Sequence, residues 1–165
     1  MKKQTNLFKN YLIPIIAIFL LVVLDQFTKS LAVAKLKGQD AVDLIRDVFQ
    51  LYYLENKGAA FGIMQNKQII FTIGAVIIIC LIAYFWMRIP FEKKYVPLRI
   101  CGILIVSGAL GNMIDRLAQN YVVDFFYFKL IDFPIFNVAD IYVTVACILF
   151  AYLLIFHYKE EDLKF

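Results

Sequence analysis

The sequence predicts an all-α membrane protein with four transmembrane helices and a small sheet at one membrane surface. Three observations carry that expectation. The 165 residues are 62% hydrophobic and only 18% charged, against roughly 45–50% apolar and about 25% charged in a soluble domain. Four apolar runs approach or reach the roughly 17–25 residues that a helix needs to cross a hydrocarbon core of about 30 Å. One polar stretch between them is instead rich in β-branched and aromatic residues, as strands are. A chain of this length is expected to form one domain, a single integral membrane unit over 1–165.

The first span covers about 12–34 and is interrupted by Asp25 and Lys29. The second, about 69–87, is uncharged. The third, about 98–114, begins with Arg99 near its start and meets Asp115 at its end, and the fourth covers about 141–158. Four spans put both termini on one side and the two longer loops, about 35–68 and 116–139, on the other. Lys and Arg bias sets orientation. The terminal side carries nine of them, including Lys2, Lys3 and the Arg88–Arg99 cluster, against seven opposite, which places the termini in the cytoplasm. The first run is longer than the roughly 7–15 apolar residues of a secretory signal, so it reads as a span rather than a cleaved leader.

In the first outer loop Val48–Leu54 reads as a strand, Asn56-Lys57-Gly58 as a turn and Ala59–Ile63 as a second strand. Val122–Phe128 has the same character. A sheet at the surface pairs backbone groups that lipid cannot satisfy.

Most catalytic chemistries are excluded by inventory. The single histidine, His157, falls near the end of the fourth span, far in depth from Ser30 and Ser107, so no Ser-His-Asp arrangement forms; it reads as an interfacial residue. Cys80, Cys101 and Cys147 sit in apolar runs, where thiols behave as small hydrophobes. No zinc motif or Gly-rich phosphate loop occurs, so no metal or organic cofactor is expected. Lysines scattered between apolar runs make no nucleic-acid patch.

Carboxylates remain. Ionisable residues in or beside a span are rare and expensive, which makes each a functional candidate. Asp25 and Lys29 are four apart with the acid first, the favourable order for a helical ion pair, and read as a structural staple. Asp115 ends the third span, unfavourably for the helix dipole, and needs compensation from Arg116 or from the loop. Arg116 suits that dipole and could also face a ligand. Asp140 opens the fourth span, with Asn137 spaced to cap it. Asp124 stands between Val122-Val123 and an aromatic run, where solvation does not explain an acid. The return loop between Asp124 and Asp140 lets them meet at one depth. Two carboxylates in a partly dry site titrate as a unit, one protonated and one a base, as in aspartic proteases. Transporter proton relays use similar acids, and a small transporter with Asp25 and Asp140 as relay groups stays open on these grounds. So does a non-enzymatic scaffold.

Five stretches resemble one known family. Leu24-Asp25-Gln26-Phe27-Thr28-Lys29, Glu55-Asn56-Lys57-Gly58-Ala59-Ala60-Phe61-Gly62, Gly108-Ala109-Leu110-Gly111-Asn112-Met113-Ile114-Asp115-Arg116, Tyr121-Val122-Val123-Asp124-Phe125 and Phe133-Pro134-Ile135-Phe136-Asn137-Val138-Ala139-Asp140 are similar, in order, to the motifs of bacterial lipoprotein signal peptidase, signal peptidase II. The resemblance implies an intramembrane aspartic endopeptidase of the bacterial cytoplasmic membrane, with a four-helix core and a small extracytoplasmic β-cradle. It implies Asp124 and Asp140 as the catalytic dyad. Asn56, Gly58, Asn112, Arg116 and Asn137 are implied to bind substrate or the cyclic peptide inhibitor globomycin, and Asp25, Lys29 and Asp115 to support the structure. The implied substrates are diacylglyceryl-modified prolipoproteins, cut on the N-terminal side of the lipidated cysteine, with membrane lipid as a further partner, no cofactor and a monomeric enzyme. Gly62 stands where many members carry serine, and the stretch after Asp124 is unusually aromatic (Phe125, Phe126, Tyr127, Phe128); both bear on substrate fit rather than on chemistry.

Overall fold

A computed structural model describes residues 8–58 and 68–165. Helix α1 spans Ile13–Leu36 and is preceded by one wider π-helical turn, Phe8–Leu12. Pro14 falls in its first turn, where the missing N–H removes no helical bond. Strands β1 (Val42–Ile45) and β2 (Phe49–Asn56) follow, then α2 (Gln68–Arg88), α3 (Val96–Gln119), β3 (Val122–Tyr127) and α4 (Val138–Tyr152), which loosens into a π-helical turn at Leu153–His157. The four helical stretches run 29, 21, 27 and 20 residues. At 1.5 Å per residue even the shortest reaches about 30 Å.

The boundaries depart from expectation in an instructive way. The third helix does not stop at 114 but runs to Gln119, so Asp115 and Arg116 lie inside it rather than at its end. It ends at Asn120, whose left-handed backbone (φ 63°) returns an N–H to the Arg116 carbonyl at 3.1 Å, a helix stop favoured by Asn and Gly. The fourth helix begins at Val138, three residues earlier than expected. Its start is a reciprocal cap: the Asn137 side chain accepts from the Asp140 N–H while the Asp140 carboxylate accepts from the Asn137 N–H, both at 3.1 Å.

The three strands form an antiparallel sheet in the order β1-β2-β3. Strand β1 was not anticipated, being only four residues, all exposed. The expected second strand, Ala59–Ile63, lies outside the described residues. Leu54 opposes Asp124 in the β2–β3 register, and a bulge between Leu51 and Leu54 bends β2 there. Beyond β3 the chain returns to pair Phe136 with Phe126, which brings Asn137 and α4 back beside Asp124. Val123 and Phe125 pack on Ala32 and Leu36 at the end of α1, fixing the sheet to the bundle.

Helix α3 is the hub and packs against each of the other three. Glycines let it approach closely, as in membrane helix pairs. A Cβ on Gly108 would stand 2.5 Å from the Ala139 carbonyl oxygen, and one on Gly111 would stand 2.5 Å from Asp25 Oδ2. Helix α2 buries no residue at all. Ile69, Ile70, Ile73, Ile77 and Ile78 are exposed on it, as suits a helix whose solvent is lipid. At the terminus-bearing end a second cluster forms from Ile89, Tyr95, Cys101, Ala146, Leu153 and Tyr158.

Candidate active site

The base of the site is a buried cluster of charges between α1 and α3. Lys29, 3% exposed, reaches Asp25 Oδ2 at 2.9 Å, Asp115 Oδ2 at 3.0 Å and Asn112 Oδ1 at 2.9 Å. Its three N–H groups thus face three acceptors. The i,i+4 pair with Asp25 is present as expected, but it does not neutralise itself alone, because Lys29 is shared with Asp115. Compensation for Asp115 comes from Lys29 and from the loop rather than from Arg116. The Val123 N–H donates to Asp115 Oδ2 at 3.1 Å, which pins the start of β3. Asp25 Oδ1 accepts the Ala139 N–H at 2.9 Å and so holds the first turn of α4. Sequence reasoning passed over Gln26. Its amide donates to Asp25 Oδ2, the Gly111 carbonyl and Asp115 Oδ1 at 3.2, 3.1 and 2.9 Å. The signal available was an amide next to an intramembrane acid.

Two further carboxylates sit on this base. Asn112 must turn its carbonyl oxygen to Lys29, a pure donor, so its Nδ2 faces outward and donates to Asp140 Oδ1 at 2.8 Å. Asn137 joins the two acids. Its backbone N–H holds Asp140 Oδ2, and its side-chain Nδ2 donates to Asp124 Oδ1 at 2.6 Å. The other oxygen of Asp124 accepts from Asn56 Nδ2 at 2.8 Å, and Asn56 Oδ1 accepts the Gly58 N–H at 2.9 Å. Asp124 is 1% exposed. Burial, reinforced by the charge of Asp140, pushes its carboxyl up to about 7, against the opposing pull of Asn56, Asn137 and Lys29.

Both acids line an open cavity of about 1140 Å³ with Asn56, Gly58 and Arg116 on the same wall. Much of the remainder is apolar, including Ile131, Phe133, Ile141 and Val145. Arg116 donates from Nη1 to the Asn112 carbonyl at 3.4 Å and lies 5.1 Å from the centre of the Phe71 ring, while its Nε has no acceptor among the described residues. All ten residues singled out in the sequence therefore fall in one assembly: five on the wall of the cavity, with Asn112 and Asn137 behind them and Asp25, Lys29 and Asp115 at the base. Among the described residues no group of three or more His, Cys, Asp or Glu is placed to hold a metal ion. His157 stands at the opposite end, exposed and edge-on to Tyr158.

Such an assembly can hold one proton between two carboxylates beside an apolar trough. Comparison with known proteins shows where it belongs. A model of the family described as signal peptidase (SPase) II matches residues 17–156. The chain belongs to the signal peptidase II family. It is 43% identical over 150 residues to the lipoprotein signal peptidase of Clostridium tetani, covering 89% of this chain and 93% of the relative. It is 40% identical over 148 residues to that of Clostridioides difficile, covering 89% and 98%. A bacterial membrane enzyme structure obtained by the in meso method at 2.3 Å superposes with a TM-score of 0.76 at 31% identity, over 93% of this chain and 96% of the other. The family assignment makes the chain a peptidase of lipoprotein processing, and its four long apolar helices make it multi-pass in the membrane.

Proposed function

We propose that the chain is an intramembrane aspartic endopeptidase that removes the signal peptide from diacylglyceryl-modified prolipoproteins, cutting on the N-terminal side of the lipidated cysteine. The observation that carries this reading is the joining of Asp124 and Asp140 through Asn137 at the wall of the apolar cavity. Asp124, the more buried, holds the shared proton, and Asp140 is the ionised partner. Asp140 takes a proton from a water between them, and the water oxygen attacks the carbonyl preceding the cysteine. Asp124 gives its proton to the carbonyl oxygen as charge develops there. Collapse of the tetrahedral species returns a hydroxyl proton to Asp124 and breaks the C–N bond, and the amine leaves with the proton that Asp140 had taken. The products are a signal peptide carboxylate and a lipidated N-terminal cysteine.

Asn56, Gly58 and Arg116 face the substrate on this reading. Asn112 and Asn137 hold the acids and the peptide backbone, and the base of Asp25, Lys29 and Asp115 keeps them in register. The diacylglyceryl chains lie along Ile141 and Val145, entering sideways from the outer leaflet. This orientation, with both termini cytoplasmic, follows the Lys and Arg bias. The enzyme works as a monomer without a cofactor, and globomycin-type peptides compete for the same trough.

The test is cleavage of a lipidated and an unlipidated prolipoprotein by purified wild type, Asp124→Asn and Asp140→Asn. The wild type is expected to cut only the lipidated form, and each variant, with its thermal unfolding intact, to lose about 10²–10⁴-fold or more. Near-wild-type rates in either variant would remove the acid pair from the chemistry. Equal cleavage of both substrates would remove the lipid from recognition.

A further inference from the structure

Beneath the acid pair lies a second pair of acids that grips the chain ahead of the first. Asp25 Oδ1 accepts the N–H of Ala139, the residue before Asp140, at 2.9 Å. Asp115 Oδ2 accepts the N–H of Val123, the residue before Asp124, at 3.1 Å. Each inner carboxylate therefore holds the backbone one residue ahead of an outer one. The separation of the two grips sets the separation of the two segments, and with it that of Asp140 and Asp124.

Two side chains of α1 span the inner pair. Lys29 Nζ reaches Oδ2 of Asp25 and of Asp115 at 2.9 and 3.0 Å. Gln26 Nε2 reaches Asp25 Oδ2 at 3.2 Å and Asp115 Oδ1 at 2.9 Å, and it also meets the Gly111 carbonyl at 3.1 Å. All four oxygens of the inner acids thus accept, as ionised carboxylates do. The two bridges differ in kind. Lys29 supplies the charge, on a flexible stem whose rotatable donors tolerate a range of separations. The Gln26 amide is planar and neutral, with its two N–H groups fixed in direction, so it holds a length. It acts where Gly111 lets α1 and α3 close, since a Cβ there would stand 2.5 Å from Asp25 Oδ2. Removing this amide leaves the lysine and both inner acids in place.

We propose that Gln26 is a positioning residue: by bridging Asp25 and Asp115 it fixes the distance between the segments that carry Asp140 and Asp124. The inference rests on the reading of those two acids as the catalytic pair. Gln26 is not on the cavity wall, so its effect falls on the chemical step, where a misplacement of about 1 Å can cost on the order of 10²-fold.

The test uses full-length protein in detergent. Gln26→Met, close in volume but without donors, is set beside wild type and Tyr158→Phe, which gives up a hydrogen bond to the Lys94 carbonyl at the far end of the bundle. Both variants are expected to lower the thermal midpoint. Gln26→Met alone is expected to lower kcat about 10–100-fold with KM unchanged, and to move the fall of activity with rising pH to lower pH. The sign follows from the groups facing Asp124. The charge of Asp140 raises its carboxyl, while Lys29 of α1, Asn56 of β2 and Asn137 oppose it, and Arg116 of α3 faces both acids. Without the bridge the like-charged inner acids move apart, the outer pair widens, and the contribution of Asp140 weakens. The same displacement is expected in the infrared band of the buried carboxylic acid that Asp124→Asn abolishes, a readout that needs no turnover. A Gln26→Met protein that loses stability but keeps kcat, pH profile and band, as Tyr158→Phe should, would overturn the proposal. A loss carried by KM, or a fall that moves to higher pH, would do the same. If Gln26→Met does not fold, Gln26→Asn, which keeps the amide but is too short to span both acids, is read in the same way. Activity retained by Asp124→Asn or Asp140→Asn would instead remove the catalytic reading, and the infrared band would still decide the spacing.

Discussion

Two buried cations at opposite ends of the bundle are handled in opposite ways. Lys29 meets two carboxylates and an amide oxygen within 3.0 Å and has an acceptor for every N–H. Arg99 meets two carbonyls and two aromatic rings, and two of its three nitrogens find no acceptor among the described residues. The first charge is closed and organises other side chains; through Asn112 it decides which way an amide faces Asp140. The second is shut in by rings, with two nitrogens that neither solvent nor an acceptor among the described residues reaches. Burial by itself therefore does not tell how a charge is held: acceptors surround the lysine and ring faces cover the arginine.

The largest expected break in that contrast is Lys29→Met. It leaves Asp25 and Asp115 facing each other without a counter-charge, and removing one partner of a buried ionic group costs about 3–5 kcal/mol. Thermal unfolding in detergent should show a collapse of stability, and cleavage should be lost with it. Lys29→Met combined with Asp115→Asn should recover part of the stability; failure to recover any would show that charge is not what the lysine balances.

Next in size is Gly111→Ala, whose added methyl meets the Asp25 carboxylate at 2.5 Å. Overpacking of this kind costs about 1–3 kcal/mol. Gly74→Ala on α2 meets nothing within 4 Å and is the matched control, expected to be neutral or slightly stabilising. Arg99→Gln is expected to cost less than Lys29→Met in lipid-free detergent, about 1–2 kcal/mol of ring contact. A loss as large as that of Lys29→Met would mean that its bonds to the Ile89 and Trp86 carbonyls hold the fold as firmly as the ion pairs of the lysine do.

What could be read before folding follows the same division. The Asp25–Lys29 contact was legible because i,i+4 geometry is local, and the Asn137–Asp140 cap because its spacing is. The partnership of Lys29 with Asp115 was not, since it joins residues 86 apart through helix packing. Misreading the end of α3 had the same root. A charge pair looks like the end of a span in a hydropathy reading, yet Asp115 is paid for from another helix and the backbone coils on to Asn120. Strand β1 escaped notice because Asp43 breaks a run of only four residues, whose partner, β2, supplies its regularity. The five motifs carried the family resemblance, and each delivers at least one acceptor or donor to a single hydrogen-bonded network.

The subtlest expected effect concerns which acid holds the proton. Asp124 is raised to about 7 by burial and by the charge of Asp140, while Asn56 pulls it down by donating to the ionised form. If cleavage requires protonated Asp124, activity is present below about 7 and falls as pH rises through that value. Asn56→Ala removes a donor that favours the charged form, so the carboxyl should titrate higher and the fall should move to higher pH. A hydrogen bond to a charged group contributes about 1.5 kcal/mol or more, and one pH unit corresponds to about 1.4 kcal/mol, so the displacement should be roughly one unit. Asn137 also donates to Asp124 but caps α4, which makes Asn56 the cleaner probe. The measurement is kcat against pH for the lipidated substrate, wild type beside Asn56→Ala. A fall that stays in place, or moves to lower pH, would assign the proton to Asp140 and reverse the roles of the two acids.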